Sequence, residues 1–381
     1  MKKLIALLCC TLLLNGCSWF KDDDEVDLGP ADLVKFKSEA KLKKVWSVGT
    51  GAGQDEYSPT LVAALGNGAV YAADHKGRVT AVDASNGKRR WKVDIDEPIS
   101  GGVGIAGDLV TVGTLDGSVI ALAAADGSER WRVTLDAEVL AAPNGDSSTV
   151  AVQTLNGKLY GLNASDGSQR WIHEIDMPIL TTRGVSSPQI MSNSVLAAFA
   201  NGKLYVLNID SGSVVWEARI AVPTGRTELE RMVDIDGQPL VDGDIVYAAS
   251  YQGSIAALSR GTGNALWYQE ASSYKSPGAG LGQVYLSEAN DHLRAMRGSS
   301  GTEIWVNEQL FMRQLTGPVT LGTRVLVADY EGYLHAMDYS DGHFVARTRV
   351  DGSGVVAPLL VDGDKVIVFA NDGTLAAYTI Q

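Results

Sequence analysis

The chain has 381 residues, of which 45% are hydrophobic and 20% are charged, and its formal net charge is −13. A chain of this length can bury a sizeable core, and its acidic balance makes nucleic acid and anionic membrane surfaces poor binding partners. The three cysteines, Cys9, Cys10 and Cys17, all lie near the start of the sequence, so no disulfide framework is predicted.

The first residues predict export and lipid anchoring. Residues 1–3 are basic, residues 4–14 form an apolar run too short to span a bilayer, and residues 14–17 (LNGC) resemble a bacterial lipobox. We therefore expect residues 1–16 to be a removed lipoprotein signal peptide. Cys17 would then carry the lipid that holds the protein at the periplasmic face of the outer membrane. The alternative is an ordinary cleaved signal with an accidental Gly-Cys pair.

A charged segment follows the lipidation site. It includes the acidic run DDDE at residues 22–25 and a Gly-Pro step at residues 29–30. Because charged linkers extend themselves, residues 17–41 are predicted to be a solvated acidic tether that leads to a folded domain of residues 42–381. The alternative is that the acidic run binds a basic partner.

A repeated phrase dominates the rest of the chain. Residues 110–131 read VTVGTLDGSVIALAAADGSERW, and residues 150–171 read VAVQTLNGKLYGLNASDGSQRW. Similar phrases recur at intervals of roughly forty residues, which is the period of a propeller blade. The other copies occupy residues 70–91, 195–216, 246–267 and 284–305, with degenerate copies at 325–346 and 366–380.

Each copy predicts β-strands. Side chains alternate with a period of two, and steps such as Asn156-Gly157 favour tight hairpin turns. With a further apolar strand before each copy, every repeat provides four antiparallel strands. We therefore predict an all-β fold, an eight-bladed propeller in which residues 43–48, with Trp46, complete the C-terminal blade. The tryptophan that ends each clear copy would pack between adjacent blades.

The sequence contains no recognisable catalytic or metal-binding constellation. The five histidines are scattered over several repeats, and no pair has the spacing of metal ligands. No nucleophile elbow, phosphate-binding loop or dinucleotide-binding fingerprint occurs. We therefore predict a protein that is not an enzyme and that has no catalytic residues, bound metal or cofactor.

The repeat is interrupted by two long connections, which we call the first excursion (residues 178–187) and the second excursion (residues 221–237). They follow consecutive tryptophans, and connections between successive blades emerge on the same side of a propeller, so we expect the excursions to be neighbours. The first is aliphatic with an arginine, and the second carries charges of both signs, a composition that protein interfaces favour. Neutral drift of loop length on a tolerant scaffold is the alternative.

Three phrases carry a resemblance to a known family: RGVSSP at residues 183–188, RTELERMVDIDGQP at 226–239 and DYEGYLHAMDYSDGHFVA at 329–346. With the lipobox, the acidic tether and the repeats, they make essentially the whole chain similar to the BamB family of outer-membrane assembly lipoproteins. The resemblance implies a non-enzymatic scaffold of the β-barrel assembly complex. Such a scaffold binds a periplasmic polypeptide-transport-associated domain of BamA and assists the folding and insertion of outer-membrane proteins.

Nascent outer-membrane proteins are a further candidate partner, and the propeller is expected to be monomeric within the complex. In the family, the contact with BamA uses a Leu-x-Leu-Arg stretch in the first excursion and an Asp-x-Asp stretch in the second. Leu180 and Arg183 match the first pattern, Thr182 stands in place of its second leucine, and Asp234 and Asp236 match the second pattern. Arg226 and Glu228 join these residues as candidate partner-binding groups.

Two alternatives stay open. Asp234 and Asp236 could bond to Arg183 or Arg226 within the protein and hold the loops in place, and this role can coexist with partner binding. The rival function is a periplasmic quinoprotein-like enzyme, or a small-ligand-binding propeller, with a cofactor on the propeller axis. That rival needs convergent polar ligands, which the sequence does not reveal.

Overall fold

The computed structural model describes residues 29–54, 61–182, 184 and 186–381. The chain divides into two units, residues 1–30 and 31–381, and only Gly29 and Pro30 of the first unit are described. The predicted signal peptide, the lipidated Cys17 and the acidic run therefore lie outside the described residues. Every regular element in the described part is a β-strand, which confirms the all-β prediction. None of these residues forms a helical span of membrane length.

Thirty-two strands are present in the described ranges. The strands of the first half of the chain are β1 (Leu42–Gly49), β2 (Ala64–Gly66), β3 (Ala69–Ala73), β4 (Arg78–Asp83), β5 (Arg89–Asp94), β6 (Ile99–Ala106), β7 (Leu109–Thr114), β8 (Ser118–Ala123), β9 (Glu129–Thr134), β10 (Asn144–Gly145), β11 (Thr149–Gln153), β12 (Lys158–Asn163), β13 (Gln169–Glu174), β14 (Gln189–Met191), β15 (Ser194–Ala198) and β16 (Lys203–Asn208). Those of the second half are β17 (Val214–Arg219), β18 (Leu240–Asp242), β19 (Ile245–Ala249), β20 (Gly253–Ser259), β21 (Ala265–Ala271), β22 (Gly278–Gly280), β23 (Gln283–Ser287), β24 (Leu293–Arg297), β25 (Glu303–Asn307), β26 (Val319–Leu321), β27 (Arg324–Ala328), β28 (Tyr333–Asp338), β29 (Phe344–Arg349), β30 (Leu360–Asp362), β31 (Lys365–Phe369) and β32 (Thr374–Ile380).

The strands form four-stranded antiparallel units in chain order. Five such sheets are β2–β5, β14–β17, β18–β21, β22–β25 and β26–β29. The strands β6–β9 and β10–β13 form two further units, which share one sheet through a single parallel pair, Gly145 and Ala106. The last sheet has the order β1-β32-β31-β30, and Leu42 pairs with Ile380 in it. Strands from the two ends of the described chain therefore share one sheet.

The tryptophan of each clear repeat packs between neighbouring sheets. Trp91 donates its indole N–H to the carbonyl of Ala124, at 2.9 Å, in the repeat that follows. An ideal Cβ built on Gly127 would lie 2.7 Å from Trp91 Cε3, and Gly127 has a φ of 77°. Only glycine suits both conditions, because a side chain there would strike the ring and strain the backbone. The glycine of the recurring Asp-Gly or Asn-Gly step therefore leaves room for the tryptophan ring and also forms the turn.

The hydrophobic core consists of layers between adjacent sheets. One layer joins Leu159 and Trp171 to Val195 and Leu207 of the next sheet. Corresponding layers join β14–β17 to β18–β21, β18–β21 to β22–β25, and β22–β25 to β26–β29. The sheet that contains β1 and β32 packs against β26–β29 and against β2–β5. Each sheet thus buries both faces against its neighbours.

Residues 31–41, which we call the strap, differ from the predicted solvated tether. Ala31 N–H donates to the carbonyl of Phe311 at 2.9 Å, and Ala40 N–H donates to that of Val345 at 3.1 Å. The ring of Phe36 stacks on Phe344 with centroids 5.4 Å apart. The strap therefore runs along β29 and joins the folded unit.

The physical reason is that the strap contains isolated apolar groups. Leu33, Val34 and Phe36 pack against the core layer of β22–β29, although charged residues separate them in the sequence. Such short apolar groups have no helical or strand period, so the sequence pattern did not distinguish the strap from a solvated linker.

Candidate functional site

The two excursions meet beside the sheets β14–β17 and β18–β21. The first connects β13 to β14, and the second connects β17 to β18. Because strands alternate in direction, both emerge on the side where the second and third strands of each sheet also turn. Tyr251, in such a turn, donates its N–H to the carbonyl of Asp234 at 2.9 Å. We call the described residues of the two excursions the loop surface (178–182, 184, 186, 187 and 221–237).

Thr182 joins the two excursions through the carboxylates of the second. Its backbone N–H donates to Asp234 Oδ2 at 2.6 Å, and its hydroxyl lies 2.7 Å from the same oxygen. The hydroxyl also lies 2.6 Å from Asp236 Oδ2. A threonine hydroxyl carries one proton, so it can donate to only one of the two carboxylates at a time. The cluster therefore has a single hydroxyl donor for two carboxylates.

Burial sets the electrostatics of this cluster. Asp234 is fully buried, and burial raises the pKa of its carboxyl, against the hydrogen bonds from Thr182 that lower it. Burial also raises the pKa of Asp236 to about 6; the bond to Thr182 and the charge of Lys275 oppose this rise, and the charge of Asp234 adds to it. Each aspartate has a buried Oδ1 that accepts no hydrogen bond within the described part of the chain.

The loop surface also exposes apolar side chains to solvent. Ile179 and Leu180 of the first excursion are exposed, as are Val222 and Leu229 of the second. The charged candidates Arg226 and Glu228 are also exposed, in the outer part of the second excursion. The loop surface therefore combines solvent-facing aliphatic groups, mixed charges and a pair of carboxylates, of which Asp234 is buried and Asp236 is half-buried.

The structure brings some of the predicted residues together and separates others. Thr182, Asp234 and Asp236 are in direct contact, while Arg183 lies outside the described residues. Among the described residues, neither aspartate bonds to Arg226, so the predicted internal pair with that residue is not formed. Thr182 supplies the internal bracing instead.

One further charged group beside the cluster was not singled out from the sequence. Lys275 lies in the connection from β21 to β22. Burial lowers the pKa of its ammonium group, and the nearby charges of Asp291 and Asp236 oppose this shift. Its ammonium group stands 5.2 Å from the centroid of the Tyr274 ring. The β21–β22 connection has an ordinary length, so no irregularity of the sequence pointed to it.

A second polar network holds the strap. Arg347 donates from Nε to His335 Nδ1 at 3.0 Å, so Nδ1 is the acceptor and the proton of this neutral imidazole is on Nε2. His335 Nε2 lies 3.0 Å from Asp329 Oδ2 and donates to it. Burial lowers the pKa of His335, in keeping with a neutral ring. Arg347 also donates to the carbonyl of Val34, and its guanidinium lies 5.0 Å from the Phe36 ring centroid. The network thus fastens the strap to β29.

Arg313 fastens the start of the strap. It donates from Nε to Asp329 Oδ2 at 2.8 Å and from Nη1 to the carbonyl of Ala31 at 2.9 Å, and it pairs with Glu331. Burial alone would raise the pKa of Asp329, but the hydrogen bonds from His335 and the Tyr333 backbone and the charge of Arg313 hold it below its ordinary value. Among the described residues, no group of three or more His, Cys, Asp or Glu side chains is placed to hold a metal ion.

Comparison with known proteins gives a consistent family assignment. The family model described as outer membrane protein assembly factor BamB matches residues 34–98, 75–307 and 308–381. A protein of Pseudomonas aeruginosa named outer membrane protein assembly factor BamB is 49% identical over 376 residues, which cover 99% of this chain and 98% of that protein.

Solved structures agree with this assignment. The crystal structure of BamB from Moraxella catarrhalis superposes with a TM-score of 0.81 at 29% identity, over 89% of this chain and 99% of that one. Quinohemoprotein alcohol dehydrogenase from Comamonas testosteroni superposes with a TM-score of 0.68 at 14% identity, over 89% of this chain and 76% of that one. The likeness to the dehydrogenase extends to the fold alone.

Proposed function

This chain belongs to the family of outer membrane protein assembly factor BamB, and we propose that it acts as a non-enzymatic scaffold in the assembly of outer-membrane proteins. In this proposal, lipid on Cys17 anchors it to the periplasmic face of the outer membrane, after removal of residues 1–16. The LNGC sequence supports the anchor. The names of the relatives support the assembly role.

The scaffold in this proposal is an eight-bladed propeller closed by the sheet β1-β32-β31-β30. The four-stranded units and the core layers between successive sheets support this arrangement. A closed ring would leave no sheet face uncovered, and it would hold the connections between blades in fixed relative positions. Both excursions would then be presented on a rigid base.

The loop surface is the proposed binding site for the periplasmic domain of BamA. The observation that carries this assignment is the contact of Thr182 with Asp234 and Asp236, which holds the two excursions against each other. Leu180 is exposed beside this contact and is suited to fill an apolar pocket of the partner. Asp234 is fully buried and acts by bracing, whereas Arg183, Arg226 and Glu228 supply the charges that select the partner.

Capture of the purified periplasmic domain of BamA tests this proposal. Leu180→Glu should weaken capture at least about tenfold, because it places a charge where an apolar contact is expected. Leu281→Glu is the matched control, since Leu281 is also an exposed leucine and lies in the β22–β23 turn, between the first and second strands of its sheet, on the side opposite to the loop surface. Equal capture by the wild type and both variants would contradict the assignment of the site.

A further inference from the structure

The strap crosses the outer edge of the sheet β26–β29. At its first residue, the N–H of Ala31 donates to the carbonyl of Phe311, in the connection from β25 to β26. At its last residue, Lys41 exchanges two backbone hydrogen bonds with Gln381, at 2.8 and 3.0 Å, just after the end of β32. A connection from a fourth strand to a first strand and the end of a third strand lie on opposite sides, because successive strands alternate in direction. The strap therefore runs from one side of the sheets to the other.

The strap begins on the side of the loop surface. Both excursions are also connections from a fourth strand to a first strand, so in the proposed propeller they emerge on the same side as the β25–β26 connection. The strand that follows the strap, β1, begins on the opposite side, where Leu42 pairs with Ile380. Without the contacts of the strap, the chain before Leu42 would leave the sheets on that opposite side.

Two arginines hold the end of the strap that lies on the loop-surface side. Arg313 is 2% exposed and donates to the carbonyl of Ala31 at 2.9 Å. Arg347 donates to the carbonyl of Val34 at 2.9 Å, and its guanidinium also contacts the ring of Phe36. Hydrogen bonds from charged donors are stronger than those between neutral groups. Side chains from the β25–β26 connection and from β29 therefore fix this end of the strap.

The start of β29 holds the other end of the strap. Glu39 and Ala40 donate their N–H groups to the carbonyl of Val345, at 2.9 and 3.1 Å. The Glu39 carboxylate lies 3.4 Å from Nε2 of His343, in the turn from β28 to β29. That turn joins a third strand to a fourth strand, so it lies on the side opposite to the loop surface. Contacts at both ends thus keep the strap stretched across the edge of the sheet.

The bound strap also sets the reach of the preceding chain. From Cys17 to Ala31 the chain spans at most about 50 Å, whereas from Cys17 to Leu42 it spans at most about 90 Å. The formal net charge of −13 gives the protein no general attraction to an anionic lipid surface. The covalent anchor and the route of the strap are then what determine which side of the molecule lies nearer to a membrane.

We propose that the strap is a positioning segment that holds the loop surface toward the outer membrane. This inference rests on the proposed function, which supplies the lipid on Cys17 and the partner. With the strap bound, the anchored chain leaves the sheets on the loop-surface side and is short. A partner bound to the same membrane is then met on the side of the protein that lies nearer to the bilayer.

Two labels at the ends of one strand measure this orientation. Asp108 and Leu115 are exposed and flank β7, so they lie about 20 Å apart on opposite sides of the sheet, with Leu115 on the loop-surface side. After removal of residues 1–16, Cys17 is the only cysteine and carries the lipid, so Asp108→Cys and Leu115→Cys each take a single fluorescent donor. The lipidated protein is then placed on phosphatidylcholine vesicles that contain an acceptor-labelled lipid.

Energy transfer to the vesicles should be stronger from the loop-surface side. We expect it to be about twofold or more higher from position 115 than from position 108, because the two positions differ in height by about one strand length. Equal transfer from the two positions, or more transfer from position 108, would overturn the proposal.

Replacement of the strap tests its part in this orientation. Glycine and serine in place of residues 31–40, together with Arg347→Ala, keep the chain length but remove the apolar groups of the strap and the bond to Val34. The difference between the two labels should then disappear or reverse. The matched control replaces residues 20–28 in the same way, leaves the strap intact and should keep the difference. The proposal fails if the control loses the difference, or if a strap variant whose Lys41 amide exchanges rapidly retains it.

Flotation of the vesicles and capture of BamA separate this inference from the proposed function. Failure of the wild type to float with the vesicles would remove the lipid anchor and this inference with it. In detergent, the strap variant should still capture BamA, because the loop surface is unchanged. Equal energy transfer from the two labels, with flotation and capture intact, would refute the role of the strap alone. A difference between the labels without capture of BamA would refute only the binding site.

Discussion

The hydroxyl of Thr182 lies 2.6 Å from Asp236 Oδ2, so the residue that replaces an expected leucine is bonded into the other excursion. A leucine could not make this contact. The same hydroxyl is 2.7 Å from Asp234 Oδ2, and one hydrogen-bond donor therefore serves two carboxylates. Among the described residues, the hydroxyl and the backbone N–H of Thr182 make the hydrogen bonds between the two excursions.

Replacement of Thr182 by valine should reduce stability. Valine has a similar shape but no hydroxyl, so the buried carboxylate of Asp234 and the half-buried carboxylate of Asp236 would lose a donor at a cost of about 1–3 kcal/mol. Urea unfolding at neutral pH measures the loss. Thr323→Val, at an exposed turn position, is the control and should change the unfolding free energy by less than about 0.5 kcal/mol. The same small change in both variants would show that the cluster does not brace the loops.

Asp236 should make stability fall as the pH rises from about 4 to about 6. Its pKa is raised to about 6 in the folded protein, so the folded state binds more protons than the unfolded state in this window. Stability is then greatest below the unfolded pKa, and at most about 3 kcal/mol is lost above the folded pKa. Asp236→Asn removes this titration. The unfolding free energy of the variant, relative to wild type, should therefore rise between pH 4 and pH 7, and a constant difference would contradict the raised pKa.

Arg347 should control the attachment of the strap. Arg347→Ala removes the bond to Val34 and the contact with the Phe36 ring, so hydrogen exchange at Ala40 and Lys41 should accelerate about tenfold or more. Arg349→Ala is the matched control on the same strand, since Arg349 bonds to the carbonyl of Glu331 and not to the strap. Unchanged exchange in Arg347→Ala would mean that the backbone bonds alone hold the strap.

Titration with pyrroloquinoline quinone and Ca²⁺ should give no saturable heat. The proposed scaffold has no use for the cofactor, whereas a quinoprotein-like enzyme must bind it. Isothermal calorimetry up to about 1 mM of each covers the range of weak specific binding. A dissociation constant in the micromolar range would favour the enzyme over the scaffold.

The repeats made the strands predictable because a period of two, a turn dipeptide and a tryptophan recur together. The meeting of the excursions also followed from topology, since connections of the same type emerge on the same side. The packing of the strap could not be predicted in this way. It depends on Phe36 contacting Phe344, a pair with no common local pattern. Lys275 was missed for the same reason, because its neighbours Asp236 and Asp291 lie in other connections of the chain.

The role of Thr182 shows where residue-by-residue comparison with a family pattern fails. As a substitute for leucine, it suggests a weaker apolar contact. In the structure, its hydroxyl lies within hydrogen-bond distance of the carboxylates of both Asp234 and Asp236. This role becomes clear only once the positions of the two aspartates are known. A short polar side chain takes its function from what lies within hydrogen-bond distance, which the sequence pattern does not specify.

The pairing of β1 with β32 has a kinetic consequence. Thr50, just after β1, donates its hydroxyl proton to the carbonyl of Gly373, 323 residues away in the chain. During synthesis or export, β1 therefore emerges early and must wait for β32 before it has a partner. Contacts of such long sequence separation form slowly. The exposed β1 edge and the uncovered first sheet would be vulnerable to aggregation in that interval.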